Sequence, residues 1–262
     1  MNDQAAAPVL VRSTSDGIAT LTLNRPRQYN ALSASLLAAL DGELEAIGRD
    51  PGVRVVLVTG SGSAFCSGHD LKEMRALPSR AEVQALFEAC SRVMQKLVAL
   101  PQPVIAVVNG LATAAGCQLV AQCDLAVASS NARFAVSGIN LGLFCSTPAV
   151  ALSRNLGRKR AAEMLFGGGF IDAETALEWG LVNRVAQPDH LLEAAMAMAT
   201  NLKSKPRESL AMGKALFYRQ LEQPLGEAYK DATCVISANM DSDVAREGVD
   251  AFFGKRPPDW KD

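Results

Sequence analysis

The apolar-rich runs 9–12 and 18–23 lie on either side of Asp16-Gly17, which predicts a β-hairpin. Ser33 precedes a segment, 34–48, in which Leu36, Leu37, Leu40, Leu44 and Ile47 recur at helical spacing. That predicts an amphipathic helix with Ser33 as its N-cap. The apolar runs 53–59 and 104–108 predict buried strands. A Gly/Ser loop, 60–68, and a short helix from about Asp70 follow the first; Asn109-Gly110 and a helix over 115–123 follow the second. Between them 81–100 reads as a long amphipathic helix ended by Pro101. Segments 124–128 and 133–136 predict short strands, and Thr147-Pro148 the N-cap and first residue of another helix.

Beyond about residue 158 helical spacing dominates, over 159–165, 173–178, 188–204, 207–221 and 225–240, with one short strand at 182–185. The pattern divides the chain into a flexible N-terminus, 1–8, an αβ core, 9–200, and a C-terminal helical region, 201–262.

Composition narrows the function classes. The 262 residues are 49% hydrophobic and 20% charged, a globular balance that excludes disorder as the main state. A net charge of −1 leaves no basic footprint for nucleic acid, and two histidines exclude a His-rich metal site. Six cysteines, none in a CxxC pair, read as reduced and mostly buried thiols. With an N-terminus lacking a basic or long apolar segment, they point to a cytosolic protein. From Leu97 to Ser153 only Asp124 and Arg133 are charged, yet Pro101, Pro103, Asn109, Gly110, Gln118 and Gln122 interrupt any spanning helix. A site built from this stretch consists mainly of neutral groups. No P-loop, GxSxG elbow or HExxH motif is present, and Phe65 replaces the last glycine of a GxGxxG-like start at Gly60.

Two segments share one grammar: a buried strand, a small-residue loop and a helix start, as TGSGSAFCSGHDL and NGLATAAGCQL. Helix N-termini present unpaired N–H groups, and two such donors aimed at one oxygen would stabilise an oxyanion. The same spacing also fits ordinary βα loops.

Those loops, with Asn24-Arg25-Pro26 through Asn30-Ala31-Leu32, the run from Ala64 to Met74, Pro103 to Cys117 with Cys123-Asp124, Gly180-Leu181-Val182 and the ending from Ala251 to Pro257, resemble the crotonase (enoyl-CoA hydratase/isomerase) superfamily. The likeness runs in order over about residues 9–257. The run NGLATAAGCQLVAQCDLAVAS with GLFCSTP is most similar to the subgroup of enoyl-CoA hydratase domain-containing protein 3. The resemblance implies an α/β crotonase-like spiral of β-β-α turns, with a C-terminal helical region that assembles trimers or dimers of trimers. It implies an acyl-CoA thioester as the partner molecule, coenzyme A being part of the substrate, with no separate cofactor, metal, nucleic acid or membrane. The oxyanion-hole donors would be the backbone N–H groups of His69 and Ala115. Coenzyme A would lie against Arg27, Gln28, Tyr29, Ser67, Asp70, Leu71 and Lys72, with Phe252 and Lys255 supplied by a neighbouring subunit.

The sequence departs from that family where hydratases carry two glutamates. By the motif alignment these positions fall on Gln118 and Gly138. General acid–base catalysis contributes typically about 10²–10⁴-fold, so ordinary hydration is expected to be severely weakened. Ala114-Ala115 also replaces the usual glycines. The side chain of His69 is one candidate replacement, against a reading in which only its backbone acts. Cys145 and Ser146, before a helix start, are others, against capping and packing; Asn140 is placed to position a water or a carbonyl. The expectation is an enolate-stabilising enzyme of the hydratase/isomerase type. A non-catalytic acyl-CoA-binding or regulatory protein stands as the alternative, and decarboxylation and thioester hydrolysis as the reactions needing least acid–base help.

Overall fold

Asp16 and Gly17 both adopt positive φ, 49° and 73°, the geometry of a two-residue hairpin turn, and join β1 (Leu10–Ser15) to β2 (Ile18–Leu23). The computed structural model describes residues 7–260, so most of the N-terminal segment expected to be flexible lies outside the described residues. Helix α1 (Ala34–Gly48) begins where the pattern places it, with the Ser33 hydroxyl accepting from the Leu36 N–H at 3.2 Å.

The chain then repeats a unit of one strand in a first sheet, one short strand in a second, and a helical connection. Strands β3 (Val55–Gly60) and β4 (Ala64–Cys66) lead to α2 (Leu71–Ala76) and α3 (Arg80–Ala99). Strands β5 (Val104–Val108) and β6 (Leu111–Thr113) lead to α4 (Ala115–Gln122). Strands β7 (Leu125–Ser129) and β8 (Arg133–Ala135) lead to α5 (Ser146–Asn155) and α6 (Arg158–Gly167). Next come β9 (Ile171–Asp172), α7 (Ala173–Trp179), β10 (Arg184–Ala186) and α8 (Leu191–Lys203), then α9 (Arg207–Gln220), α10 (Leu225–Met240) and α11 (Asp243–Phe253). The first sheet has the order β1-β2-β3-β5-β7-β10 and the second β4-β6-β8-β9.

The uninterrupted apolar runs of β3 and β5 follow from burial on both faces. Val56, Val58, Ala106 and Val108 join a core with Leu36, Leu40, Leu44 and Leu97. Val55, Leu57, Ile105 and Val107 pack with Leu191, Ala195, Met198 and Ala199 of α8. Full burial of each of these Val, Leu, Ile and Met side chains contributes roughly 1.5–3 kcal/mol.

Three features differ from the sequence expectation. Strands β4 and β6, three residues each, replace what reads as plain loop, since so short a run carries no measurable alternation. Helix α5 starts at Ser146 with Cys145 in the N-cap position, so Pro148 is its third residue. Proline is tolerated there because first-turn N–H groups have no intrahelical acceptor. Helix α11 is the last element, behind a Ser242 cap whose hydroxyl accepts from the Ala245 N–H at 3.1 Å.

Asp124, the acid in the otherwise neutral stretch, is structural. Its carboxylate accepts from the Val104 N–H at 2.7 Å, from Lys214 Nζ at 2.6 Å and from the Tyr218 hydroxyl at 2.8 Å. Lys214, 7% exposed, also donates to the carbonyls of Leu97 and Gln102, which fixes α9 to the end of the first sheet.

Candidate functional site

Segment 25–32 folds around a buried asparagine. After the turn Pro26–Gln28, Tyr29 and Asn30 both take left-handed φ, 48° and 55°. Asn30 is held there by its side chain, which accepts from the Arg25 N–H at 2.9 Å and donates to the carbonyls of Ser61 and Ala64 at 2.9 and 2.8 Å. The Tyr29 carbonyl accepts from the Ser67 N–H at 3.0 Å. Leu32 then pairs with His69 in a parallel bridge: the Leu32 N–H donates to the Gly68 carbonyl at 2.8 Å, and the Asp70 N–H to the Leu32 carbonyl at 3.2 Å. Those bonds use the peptide groups on either side of His69, so its own N–H faces away from Leu32.

The second segment arrives from the neighbouring unit. Thr113 donates its hydroxyl to the Ser67 carbonyl at 3.0 Å, and the Ala114 N–H donates to the Ala135 carbonyl at 2.9 Å. Ala114 has φ 49° and ψ −119°, a conformation that L residues seldom adopt, and Ala115 opens α4 immediately after it. Two glycines let the segments touch. A Cβ on Gly68, whose φ is 91°, would lie 2.9 Å from the Ala114 Cβ and 3.2 Å from the Ala115 nitrogen; one on Gly116 would collide with the Cys66 carbonyl. Among the described residues, neither the His69 nor the Ala115 N–H has a hydrogen-bond acceptor. The Ala115 N–H also stands at the positive end of α4.

None of His69, Ala115, Gln118 and Gly138 carries a carboxylate. The His69 ring meets Phe87 of α3 edge-on, with centroids 4.9 Å apart. Both ring nitrogens are buried without a partner. Burial lowers the pKa of His69, and the Leu32 backbone beside the ring opposes this. Gln118 is 4% exposed, and its amide oxygen likewise has no partner. Gly138 lies in the short helical turn Ser137–Leu141, where a Cβ would meet the Cys145 sulfur at 2.7 Å and the Leu143 carbonyl oxygen at 2.8 Å. Burial raises the Cys145 thiol and the Gly138 N–H opposes it, while burial pushes Cys117 up to about 12, so Cys117 is an inert core thiol.

The structure brings most of the expected coenzyme A positions to one neighbourhood. Arg27, Gln28 and Tyr29 are exposed on the turn that binds Ser67, and Leu71 and Lys72 are exposed at the start of α2. The Asp70 carboxylate is committed otherwise: it caps α2 through the N–H groups of Lys72 and Glu73 and pairs with Arg25 at 2.9 Å. Arg25 holds the Asp70 carboxyl below the usual range, and the two N–H donors add to this. Phe252 and Lys255 lie at and just beyond the end of α11, a helix packed on α10. The Ser146 hydroxyl donates to Phe144 within its own loop, and the Asn140 amide donates to the Gly168 carbonyl at 3.1 Å. Asn140 thus ties its loop to the end of α6.

Sequence reasoning passes over Arg25 and Asn30 as individual residues, although they shape the first segment, and over the pair Lys214–Tyr218. The signal for Asn30 is its place in the NRPRQYNAL run; Lys214 carries none, because its partner is ninety positions away.

The comparisons with known proteins agree with this geometry. The sequence model of the enoyl-CoA hydratase/isomerase family matches residues 13–262. The chain belongs to this family. It is 45% identical to the mitochondrial enoyl-CoA hydratase domain-containing protein 3 of Rattus norvegicus, over 94% of this chain and 82% of the relative. The crystal structure of a Mycobacterium smegmatis enoyl-CoA hydratase superposes with a TM-score of 0.96 at 55% identity, covering 98% of this chain and all of that one. The human enoyl-CoA hydratase domain-containing protein 3 superposes with a TM-score of 0.93 at 43% identity, covering 96% and 100%. The family fold is therefore the α/β crotonase spiral. The cytosolic expectation does not stand, because the rat, mouse, frog and human relatives are named mitochondrial. Free thiols, which all six cysteines are, do not distinguish one reducing compartment from another. No described helix is long and apolar enough to cross a membrane.

Proposed function

We propose that the protein binds an acyl-CoA thioester and holds its carbonyl oxygen between the backbone N–H groups of His69 and Ala115, stabilising the enolate that forms when the thioester is polarised. The observation that carries this reading is the contact of Gly68 with Ala114-Ala115, beside two N–H groups that no protein acceptor uses. One preorganised donor of this kind contributes about 3 kcal/mol to an oxyanionic transition state. Arg27, Gln28, Tyr29, Ser67, Leu71 and Lys72 would line the coenzyme A, with Lys72 as a point charge for a phosphate. Ordinary hydration would be severely weakened, because an amide at Gln118 and no side chain at Gly138 stand where two carboxylates would act.

The protein would act as a homotrimer or a dimer of trimers. Helices α10 and α11 expose Leu225, Tyr229, Ile236, Met240, Phe252 and Phe253, an apolar surface that favours assembly. Phe252 and Lys255 would then reach the coenzyme A of a neighbouring subunit.

The crowding at Gly138 favours a second reading, an acyl-CoA binder without turnover, since the loop leaves no room there for an acid. A mass-spectrometric product screen separates the two. Purified protein at high concentration meets enoyl, 3-hydroxyacyl, malonyl-type and saturated CoA thioesters. A product that scales with enzyme supports the enzyme and names its reaction. Tight binding without any product supports the binder, and no binding at all sinks both.

A further inference from the structure

Arg25 and Arg27 sit two residues apart on one turn, yet they are placed differently. Arg27 is exposed, as a phosphate contact requires, whereas the Arg25 side chain is only 18% exposed. The Arg25 guanidinium is committed to oxygens of two separate segments. Its Nη1 donates to the Ala31 carbonyl at 2.5 Å, and its Nη2 to Asp70 Oδ2 at 2.9 Å. The second Asp70 oxygen, Oδ1, accepts from the N–H groups of Lys72 and Glu73 at 3.1 and 3.3 Å. Both carboxylate oxygens are therefore occupied from within the chain.

These contacts bracket one peptide group. Ala31 directly precedes Leu32, and Asp70 directly follows His69. Leu32 and His69 form the parallel bridge described above, held by hydrogen bonds of 2.8 and 3.2 Å. Among the described residues no further pair extends that bridge, so its flanks set the tilt of the peptide between Gly68 and His69. On one flank the Ala34 N–H donates to the Glu73 side chain at 3.0 Å, an exposed contact. On the other flank stands Arg25. A guanidinium is planar, with its nitrogens at a fixed spacing, so bonding residues 31 and 70 together fixes how the two segments lie.

Arg25 is itself firmly based. Its N–H donates to Asn30 Oδ1, and its carbonyl accepts from the N–H groups of Gln28 and Asn30, all at 2.9 Å. Asn30 is fully buried and bonded to the carbonyls of Ser61 and Ala64.

We propose that Arg25 is a positioning residue for the His69 N–H: its guanidinium, held between Ala31 and Asp70, orients that donor toward a thioester carbonyl without touching the coenzyme A. This inference rests on the acyl-CoA reading above and extends it to a residue outside the ligand surface.

Lysine at position 25 separates this role from that of a charge. Its ammonium keeps an ion pair with Asp70 but presents one point in place of two spaced nitrogens. The readout is the infrared stretch of butanoyl-CoA, isotope-labelled at its carbonyl carbon and bound to the full-length protein. Calorimetry measures free-CoA affinity beside it. Donors that polarise a carbonyl lower its stretching frequency, so binding to the wild type is expected to lower it. In Arg25→Lys that lowering is expected to fall to about half or less, with free-CoA affinity kept within about twofold. Asp70→Asn keeps an oxygen for the α2 cap but weakens the hold on Arg25, and is expected to lose part of the shift. A full wild-type shift in either folded variant overturns the inference. So does loss of the fold or of free-CoA binding in Arg25→Lys, since Arg25 is then a structural residue. Thioester binding to the wild type without any shift removes the two-donor carbonyl site and this inference with it. Failure to bind CoA or the thioester removes the acyl-CoA reading itself.

Discussion

Cys145 occupies the space that a side chain on Gly138 would need: a Cβ built at residue 138 would sit 2.7 Å from the Cys145 sulfur. The Leu143 carbonyl, 2.8 Å away, closes the same space with backbone, and the Leu143 N–H donates to the Gly138 carbonyl at 2.9 Å. The loop thus leaves no room for a side chain as large as glutamate at this position. Gly138→Glu is expected to lower stability by about 1–3 kcal/mol through overpacking. Restoring acids at 118 and 138 together is expected to give no hydration, with or without Cys145→Ala, because the Leu143 carbonyl still closes the space at 138. Urea unfolding and a hydration assay on the double and triple variants check this; a Gly138→Glu protein as stable as the parent would refute the crowding argument.

Ala114 holds φ 49° and ψ −119° directly before the proposed donor Ala115. Such a residue stores about 1–3 kcal/mol of strain, of which glycine's extra chain entropy would return about 0.5–1 kcal/mol. Ala114→Gly is therefore expected to stabilise by about 1 kcal/mol, raising Tm by about 2–4 °C in a domain of this size. Differential scanning calorimetry decides, and a fall in Tm would show that the conformation is not strained here.

Lys72 is exposed on the first turn of α2 and forms no ion pair among the described residues. If it faces a coenzyme A phosphate, Lys72→Ala should weaken CoA ester binding about fivefold at low salt and flatten its salt dependence, since screening acts on the charge that is removed. Unchanged affinity across salt concentrations would take Lys72 out of the site.

Lys214 and Asp124 form an ion pair at 2.6 Å, with side chains 7% and 15% exposed. Burial lowers the pKa of Lys214, and the Asp124 carboxylate opposes that. Lys214→Met strands a buried carboxylate and is expected to cost about 3–5 kcal/mol, whereas Lys214→Met combined with Asp124→Leu is expected to recover much of that loss. A double-mutant cycle in urea measures the coupling; additive losses would mean that the pair does not act as a clamp.

Much of the framework was legible in the chain itself. The Ser33 cap and the Leu36–Leu40–Leu44 stripe dictate α1, because capping and helical periodicity are local. The apolar runs at 55–58 and 104–108 dictate buried parallel strands, because only a strand covered on both faces is apolar without alternation. The order of motifs from Asn24 to Pro257 identifies the family. The tertiary structure alone decided the rest. Three-residue strands such as β4 and β6 have no periodicity to read, yet their pairing sets Gly68 against Ala115. The collision of Cys145 with position 138 and the Asp124–Lys214 pair join residues 7 and 90 positions apart, and the His69 ring nitrogens are buried with no partner at all. Packing makes those choices, because burial and hydrogen bonding act between neighbours in space, whatever their separation along the chain.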